Sequence, residues 1–219
     1  MGDHSTNSSR GTSESYHHGN LRQSLLQAAL KIVESKGLEG FTLREAARVA
    51  QVSHNAPYRH FSSRADLLVK LAIEGQQLLL KQLKVQTIPK RSPEKRILAL
   101  GTAYMEFAVT QTGYYRVMFS RDVMANRTEA LETAQDATYD FLIAELKVGE
   151  DAGLLKGNAV ERHTLAGWSL LHGAAMLVLD GHFDDTEIVA HRNPEQLARI
   201  VLETLLSGMS AERTPTRSN

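Results

Sequence analysis

Residues 41 to 61, Phe41-Thr-Leu-Arg-Glu-Ala-Ala-Arg-Val-Ala-Gln-Val-Ser-His-Asn-Ala-Pro-Tyr-Arg-His-Phe61, decide how the rest of the chain is understood. Leu43, Ala46, Ala47 and Ala50 recur at helical spacing, and the small alanines let a second helix cross closely. Thr42 with Glu45 three residues on forms a capping box that starts a first short helix. Val52-Ser53 resets the chain, and Ser53 can cap a second helix. The next segment carries His54, Asn55, Tyr58, Arg59 and His60. So many donors on so short a piece suit a helix-turn-helix facing DNA better than a structural helix. A solvated polar helix without a partner is the bland alternative for His54, Asn55 and Arg59, and Phe61 is assigned to the core.

Working outward, the chain reads as helix after helix. Asn20 and Gln23 are expected to cap a helix through Leu21, Leu25, Ala28, Ala29, Ile32 and Val33, ended by Gly37 and Gly40. Ser63-x-x-Asp66 opens a longer helix through Leu83, and Ser92-Pro93 opens the next, to about Val109. Tyr114 to Phe119 form a short segment. Asn126 with Glu129 is expected to begin a long helix, and Asn158 with Glu161 an apolar one to about Leu179. Asn193, Pro194 and Gln196 start the last, to about Ser207. No segment sustains strand alternation. The expectation is an all-α fold of about nine helices.

Composition narrows the class. The chain has 219 residues, 42% of them apolar, enough for a core, and no cysteine, which excludes disulfides and thiolate zinc sites. The longest apolar run, Leu165 to Leu179, is broken by Ser169 and His172 and is too short for a membrane span. Met1 to Ser15 is polar and lacks the apolar stretch of a secretory signal. A cytoplasmic protein acting at the nucleoid, without membrane contact, is expected. Residues 1–70 hold nine Lys and Arg against six Asp and Glu, net +3, and the remainder is net −3. A positive first third favours a polyanion.

Other chemistries fare poorly. His163, His172, His182 and His191 are spaced by nine or ten residues, not the three or four that stack two ligands on one helix face. Gly167-Trp-Ser-Leu-Leu171 lacks the second glycine of a nucleophile elbow and comes after no strand. No metal site, cofactor or catalytic residue is therefore expected.

The string Val52 to Phe61, with Thr42, Arg44 and Arg64 around it, resembles the TetR family of bacterial repressors. Tyr16-His-His-Gly-Asn-Leu-Arg22 and Gly37-Leu-Glu-Gly-Phe-Thr42 share in the resemblance, which is specific over about residues 16–75. Trp168-Ser-Leu-Leu-His172-Gly173 is similar to the Trp-His-Gly signature of one class of C-terminal domains in that family. In a helix-turn-helix the second helix enters the major groove with its N-terminal residues at the base edges. This places His54, Asn55 and Ala56 nearest the bases, where Asn bonds adenine and an Ala methyl meets thymine. The resemblance puts Arg44 at a base or backbone position, and Thr42, Ser53, Tyr58, His60 and Arg64 at phosphates. Arg64 stands where the family usually has Lys. Pro57 departs from the pattern, which often has Leu there. The recognition helix is then expected to start one or two residues later, leaving His54 in the turn and Asn55 the better reader.

The resemblance also implies a homodimer, a double-stranded DNA operator and a small-molecule effector. The expected divisions are a tail (1–15), the helix-turn-helix unit (16–62), a ligand-binding and dimerisation part (63–210, with 63–86 the connecting helix) and a second tail (211–219). Tyr104, Phe107, Tyr114, Met118, Phe119, Trp168 and His172 are candidates to line an effector cavity, with plain core packing as the alternative. Leu165, Trp168, Leu171, Ala175 and Leu179 on one helix, with Leu197, Ile200, Val201 and Leu205 on the other, are candidates for the dimer interface. The function expected is repression released by a ligand. The alternatives are an architectural or activating DNA-binding protein without a ligand, and a helical-bundle enzyme.

Overall fold

The computed structural model describes residues 11–155, 159–183 and 193–209. Residues 1–10, the expected cap Asn158 and the tail 211–219 lie outside them. The described residues form nine α-helices and one 3-10 turn, with no strand: α1 (Gly11–Lys36), α2 (Leu43–Val49), the turn Pro57–Arg59, α3 (Arg64–Thr87), α4 (Pro93–Thr110), α5 (Thr112–Met118), α6 (Arg121–Ala125), α7 (Glu129–Asp151), α8 (Val160–Leu179) and α9 (Pro194–Met209). The all-α expectation holds. No described helix is long and apolar enough to cross a membrane.

Several helix starts obey the capping chemistry expected of them, and others do not: Ser53 does not cap the 3-10 turn, which follows Ala56, and Ser92 precedes α4 without a side-chain cap bond. Thr42 Oγ1 accepts the Glu45 N–H at 3.1 Å, and Ser63 Oγ accepts that of Asp66 at 3.0 Å. Asn193 Oδ1 accepts the Gln196 N–H at 3.1 Å. Asn20, however, lies inside α1, which begins nine residues earlier and takes in residues 11–15 of the expected tail. Thr128, not Asn126, caps α7 by accepting the Leu131 N–H. Asn126 instead closes α6, its amide donating to Asp122 O at 2.8 Å. Two capping-type residues two positions apart made the sequence ambiguous there.

The first three elements share one apolar core with the start of α3, and α1 also packs on α5. Leu25, Leu26, Ala29 and Ile32 of α1, with Phe41, Leu43, Ala46 and Phe61, join Leu67, Leu68 and Leu71 in one core. Phe41 and Phe61 are each 1% exposed. Burying such a side chain contributes roughly 1.5–3 kcal/mol. The turn after α2 is held by two bonds: the Gln51 N–H donates to Arg48 O and the Val52 N–H to Ala47 O, at 3.2 and 3.0 Å. This is a Schellman closure, and it sets Gln51 at φ 56°, a left-handed conformation glycine would adopt without strain.

The second helix of the motif is reduced to one turn. Ala56 N–H bonds Ser53 O, and the Phe61 N–H bonds Pro57 O at 2.9 Å. Pro57 has no N–H to give, so Ser53 O is met by the Ala56 N–H in a tight turn, and the 3-10 helix itself begins at Pro57. His54 and Asn55 therefore both sit in the turn that leads into it.

α3 is 24 residues long, about 36 Å at 1.5 Å per residue. It packs chiefly against α4, α5 and α7, and also meets α6. Gly75 permits a close approach to α5. A Cβ there would stand 2.6 Å from Met118 Sδ of α5. α4 and α7 are tied by a bidentate pair in which Arg96 donates to both oxygens of the buried Glu145, at 2.6 and 2.5 Å. α9 lies across α4, with Leu202 over Gly101.

Candidate functional site

Two regions carry chemistry, one beside the start of α3 and one along its middle and later part. The first is the outward side of α2 and the turn after it. Thr42, Arg44, Ser53, His54, Asn55, Tyr58 and Arg59 are exposed there, Tyr58 at 55%. Arg44 and Arg59 form no ion pair among the described residues. Glu45, by contrast, is held by Arg48 and Lys36 at 2.8 Å each, and these partners lower its pKa to about 2. The acid within this face is thus neutralised and the two free guanidinium groups set its charge.

Two residues assigned to DNA by sequence are placed otherwise. Ala56 is 7% exposed, its methyl turned into the core by the same turn that exposes Asn55. Its thymine contact is not available. Arg64 is engaged inside the chain: Nε donates to Phe41 O at 3.0 Å, one Nη to Leu38 O at 2.8 Å, and the other to Asp122 at 2.5 Å. The guanidinium also stands 5.5 Å from the Phe41 ring centroid. It clamps the loop before α2 to α3 and α6, and has little left for a phosphate. His60 is half-buried.

The second region is a cavity of about 280 Å³ between α3, α6, α7 and α8. Tyr104, Phe119 and Trp168, three of the seven candidates, line it. A smaller, apolar cavity of about 60 Å³ adjoins it and shares Tyr104, Leu142, Thr164 and Trp168. Phe107 and Met118 are core residues, 1% and 0% exposed. Tyr114 stands aside on α5, its hydroxyl donating to Glu74 at 3.2 Å, and burial with that carboxylate raises its pKa to about 12.

His172 is one layer behind the wall. Its Nδ1 lies 2.7 Å from the Tyr115 hydroxyl and 3.1 Å from that of Tyr104, and Trp168 Nε1–H donates to Tyr104 at 3.2 Å. Burial lowers the pKa of His172 and raises that of Tyr104 to about 12 and that of Tyr115 as well. All four rings are neutral near pH 7. One ordering uses each proton once: Trp168 to Tyr104, Tyr104 to Tyr115 across 3.1 Å, Tyr115 to His172. Trp168 and His172 of the Trp-His-Gly string therefore fix Tyr104 in the cavity wall and Tyr115 behind it.

Sequence reasoning missed the lining from α3 and α7: Gln76, Leu79 and Leu83, then Gln135, Thr138, Tyr139 and Leu142. A signal existed. Gln76 falls on the buried stripe that runs through Ala72, Leu79 and Leu83, where a polar residue is out of place.

The surface of α8 and α9 divides the interface candidates. Leu171, Ala175 and Leu197 are buried in the chain's own core, 8%, 0% and 6% exposed, so they are not free to meet a partner. They point from α8 and α9 toward α4. Leu179, Val201 and Leu205 are half-buried, and Leu165, Trp168 and Ile200 are exposed. The outward strip of α8 holds small Ser169 and Gly173 flanked by exposed Leu165, Leu170 and Leu177. A Cβ on Gly173 would meet open space. Among the described residues no group of three His, Asp or Glu side chains could hold a metal.

Known proteins bear on most of the chain. Residues 25–71 match the family model described as bacterial regulatory proteins, tetR family, and residues 97–205 match the tetracyclin repressor-like C-terminal domain. YobS of Bacillus subtilis, an uncharacterised HTH-type transcriptional regulator, is 26% identical over 195 residues, 87% of this chain and 93% of its own. A protein of unknown function from Rhodococcus sp. RHA1 shares the fold with a TM-score of 0.75 at 28% identity, covering 90% of this chain and 98% of that one. A tetR-family regulatory protein from Rhodococcus RHA1 superposes with a TM-score of 0.69 at 19% identity, over 88% and 98%. The chain belongs to the TetR family of bacterial regulatory proteins and is a DNA-binding transcriptional regulator.

Proposed function

We propose that this chain represses transcription as a homodimer on a palindromic operator and that a small molecule in the 280 Å³ cavity releases it. The observation that carries this is the course of α3. Its N-terminal end is clamped by Arg64 to the helix-turn-helix unit, and its middle supplies Gln76, Leu79 and Leu83 to the cavity. One rigid element thus touches both sites. A ligand that prefers one placement of α3 shifts the other site by that preference and no more.

At the DNA, Asn55 and His54 face the bases, and Thr42, Arg44, Ser53, Tyr58 and Arg59 hold phosphates and so set orientation. Among the described residues only Arg44 and Arg59 are unpaired arginines on this face, so a single unit binds weakly. Pairing two units through the outward strips of α8 and α9 doubles the contact. Half-sites are then one helical turn or a multiple apart, roughly 34–36 Å per turn, and a shift of a few ångströms in the spacing of the two units breaks simultaneous engagement. Residues 16–62 act as the DNA-binding unit, 63–210 as the effector and dimer unit, and the site of action is the chromosome.

A gel-shift titration against salt, using intergenic DNA beside the gene, tests this. Several phosphates neutralised per dimer predict a steep fall in affinity between roughly 50 and 200 mM salt. A flat dependence contradicts it.

A further inference from the structure

Gln76 is 6% exposed, yet its side-chain amide bonds to no other described residue, and it lines the cavity. The amide opens onto the cavity and not onto a protein partner, so its donor and acceptor are free for whatever occupies that space. The other deep polar groups of the wall are satisfied. Thr138 donates to Ala134 O at 3.2 Å, Thr164 to Val160 O at 2.8 Å, and Tyr104 belongs to the ring network. A carboxamide presents one acceptor and one donor side by side. Around it stand the rings of Tyr104, Phe119 and Trp168 and the side chains of Leu79 and Leu83. At the rim Arg127 and Asp136 are both exposed and oppose each other in charge, so neither sign is selected. An apolar cavity of about 150 Å³ holds one benzene, so about 280 Å³ suits roughly two rings.

We infer that the effector is an uncharged, mainly aromatic compound of about two rings carrying an adjacent hydrogen-bond donor and acceptor, as a lactam does, and that Gln76 is the residue that recognises that pair. This rests on the cavity being the effector site proposed above. Gln76 is then a specificity residue whose amide makes no bond within the described fold, and its position on α3 makes the recognition bond directly to the element both sites share.

The test uses 2-quinolone, whose lactam offers the pair, and N-methyl-2-quinolone, whose donor is blocked. Affinities are measured by calorimetry on the full chain, and quenching of Trp168, the single tryptophan, locates the probe. The wild type should prefer 2-quinolone by about tenfold or more. Gln76→Leu should abolish that preference, keep N-methyl-2-quinolone binding within about twofold, and melt at the same or a higher temperature. Gln76→Met gives the same result with an unbranched side chain should the leucine variant misfold. A preference that survives in both variants, equal binding of the two probes to wild type, or a lower Tm in both variants overturns the role of Gln76 while leaving the cavity as effector site. Neither heat nor Trp168 quenching with either probe overturns the inference and the effector site together.

Discussion

Arg64 and Asp122, 58 positions apart, meet at 2.5 Å, and through them the loop before α2 and the short helix α6 are joined to the start of α3. Asp122 is about half exposed and Arg64 a third, so the ion pair itself is worth no more than about 1 kcal/mol. The carbonyls of Leu38 and Phe41, which Arg64 also satisfies, matter more. Asp122→Asn should lower stability by less than about 1 kcal/mol, and Arg64→Ala by about 1–3 kcal/mol, in urea unfolding. Equal losses in the two variants would mean the ion pair dominates.

The turn after α2 predicts a gain. Gln51 sits at φ 56° in the Schellman closure, and a side chain there is strained by roughly 1 kcal/mol. Gln51→Gly should raise stability by up to that amount while operator affinity holds. A loss in melting temperature would show that the Gln51 side chain makes a contact worth more than the strain.

Asn55 and Tyr58 should separate by the kind of loss they cause. Asn55→Ala is expected to cost about 1–3 kcal/mol per half-site and to relax preference at one base pair. Tyr58→Phe removes a phosphate donor and should weaken all sequences alike. Competition between operator variants measures both. Unchanged base preference in Asn55→Ala would move base reading elsewhere on the turn.

The ring network gives a pH dependence. Burial lowers the pKa of His172 below its ordinary 6.5. Above that pH the imidazole is neutral in folded and unfolded chains alike, and its contribution to stability is complete. As pH falls through 6.5 toward the folded value, the unfolded chain takes up the proton first and stability declines. His172→Phe should flatten this slope in unfolding curves between about pH 7 and 5. An unchanged slope would assign the dependence to another histidine.

Gly173 tests the proposed pairing. Its Cβ position is open within the chain, so Gly173→Glu should fold normally. A carboxylate in the middle of the outward strip of α8 should convert the dimer to a monomer in sedimentation and abolish operator binding. A dimer that persists would place the interface elsewhere.

How much of this was legible differs from element to element. Long helices with a buried stripe and a capping residue, such as α3 after Ser63 and α9 after Asn193, could be read directly, because periodicity and capping are local. The exposed donors Asn55, Tyr58 and Arg59 were legible for the same reason. Arg64 was not. As a cation one residue past a cap it looks like a phosphate contact, and only the folded chain brings Leu38, Phe41 and Asp122 to it. Leu171, Ala175 and Leu197 look like interface in sequence because an apolar helix does not say which neighbour covers it; in the fold α8 and α9 pack on α4 and these side chains are buried. The cavity wall was half found. Aromatics drew notice, while Gln76 and the polar face of α7 became wall only through helix packing.

The most direct measurement of the central claim is selection of bound sequences from random double-stranded DNA by the full chain. The account predicts enrichment of one palindrome with half-sites a helical turn or a multiple apart, and loss of its outermost base preference in Asn55→Ala. No enriched motif, or one without two-fold symmetry, would contradict it.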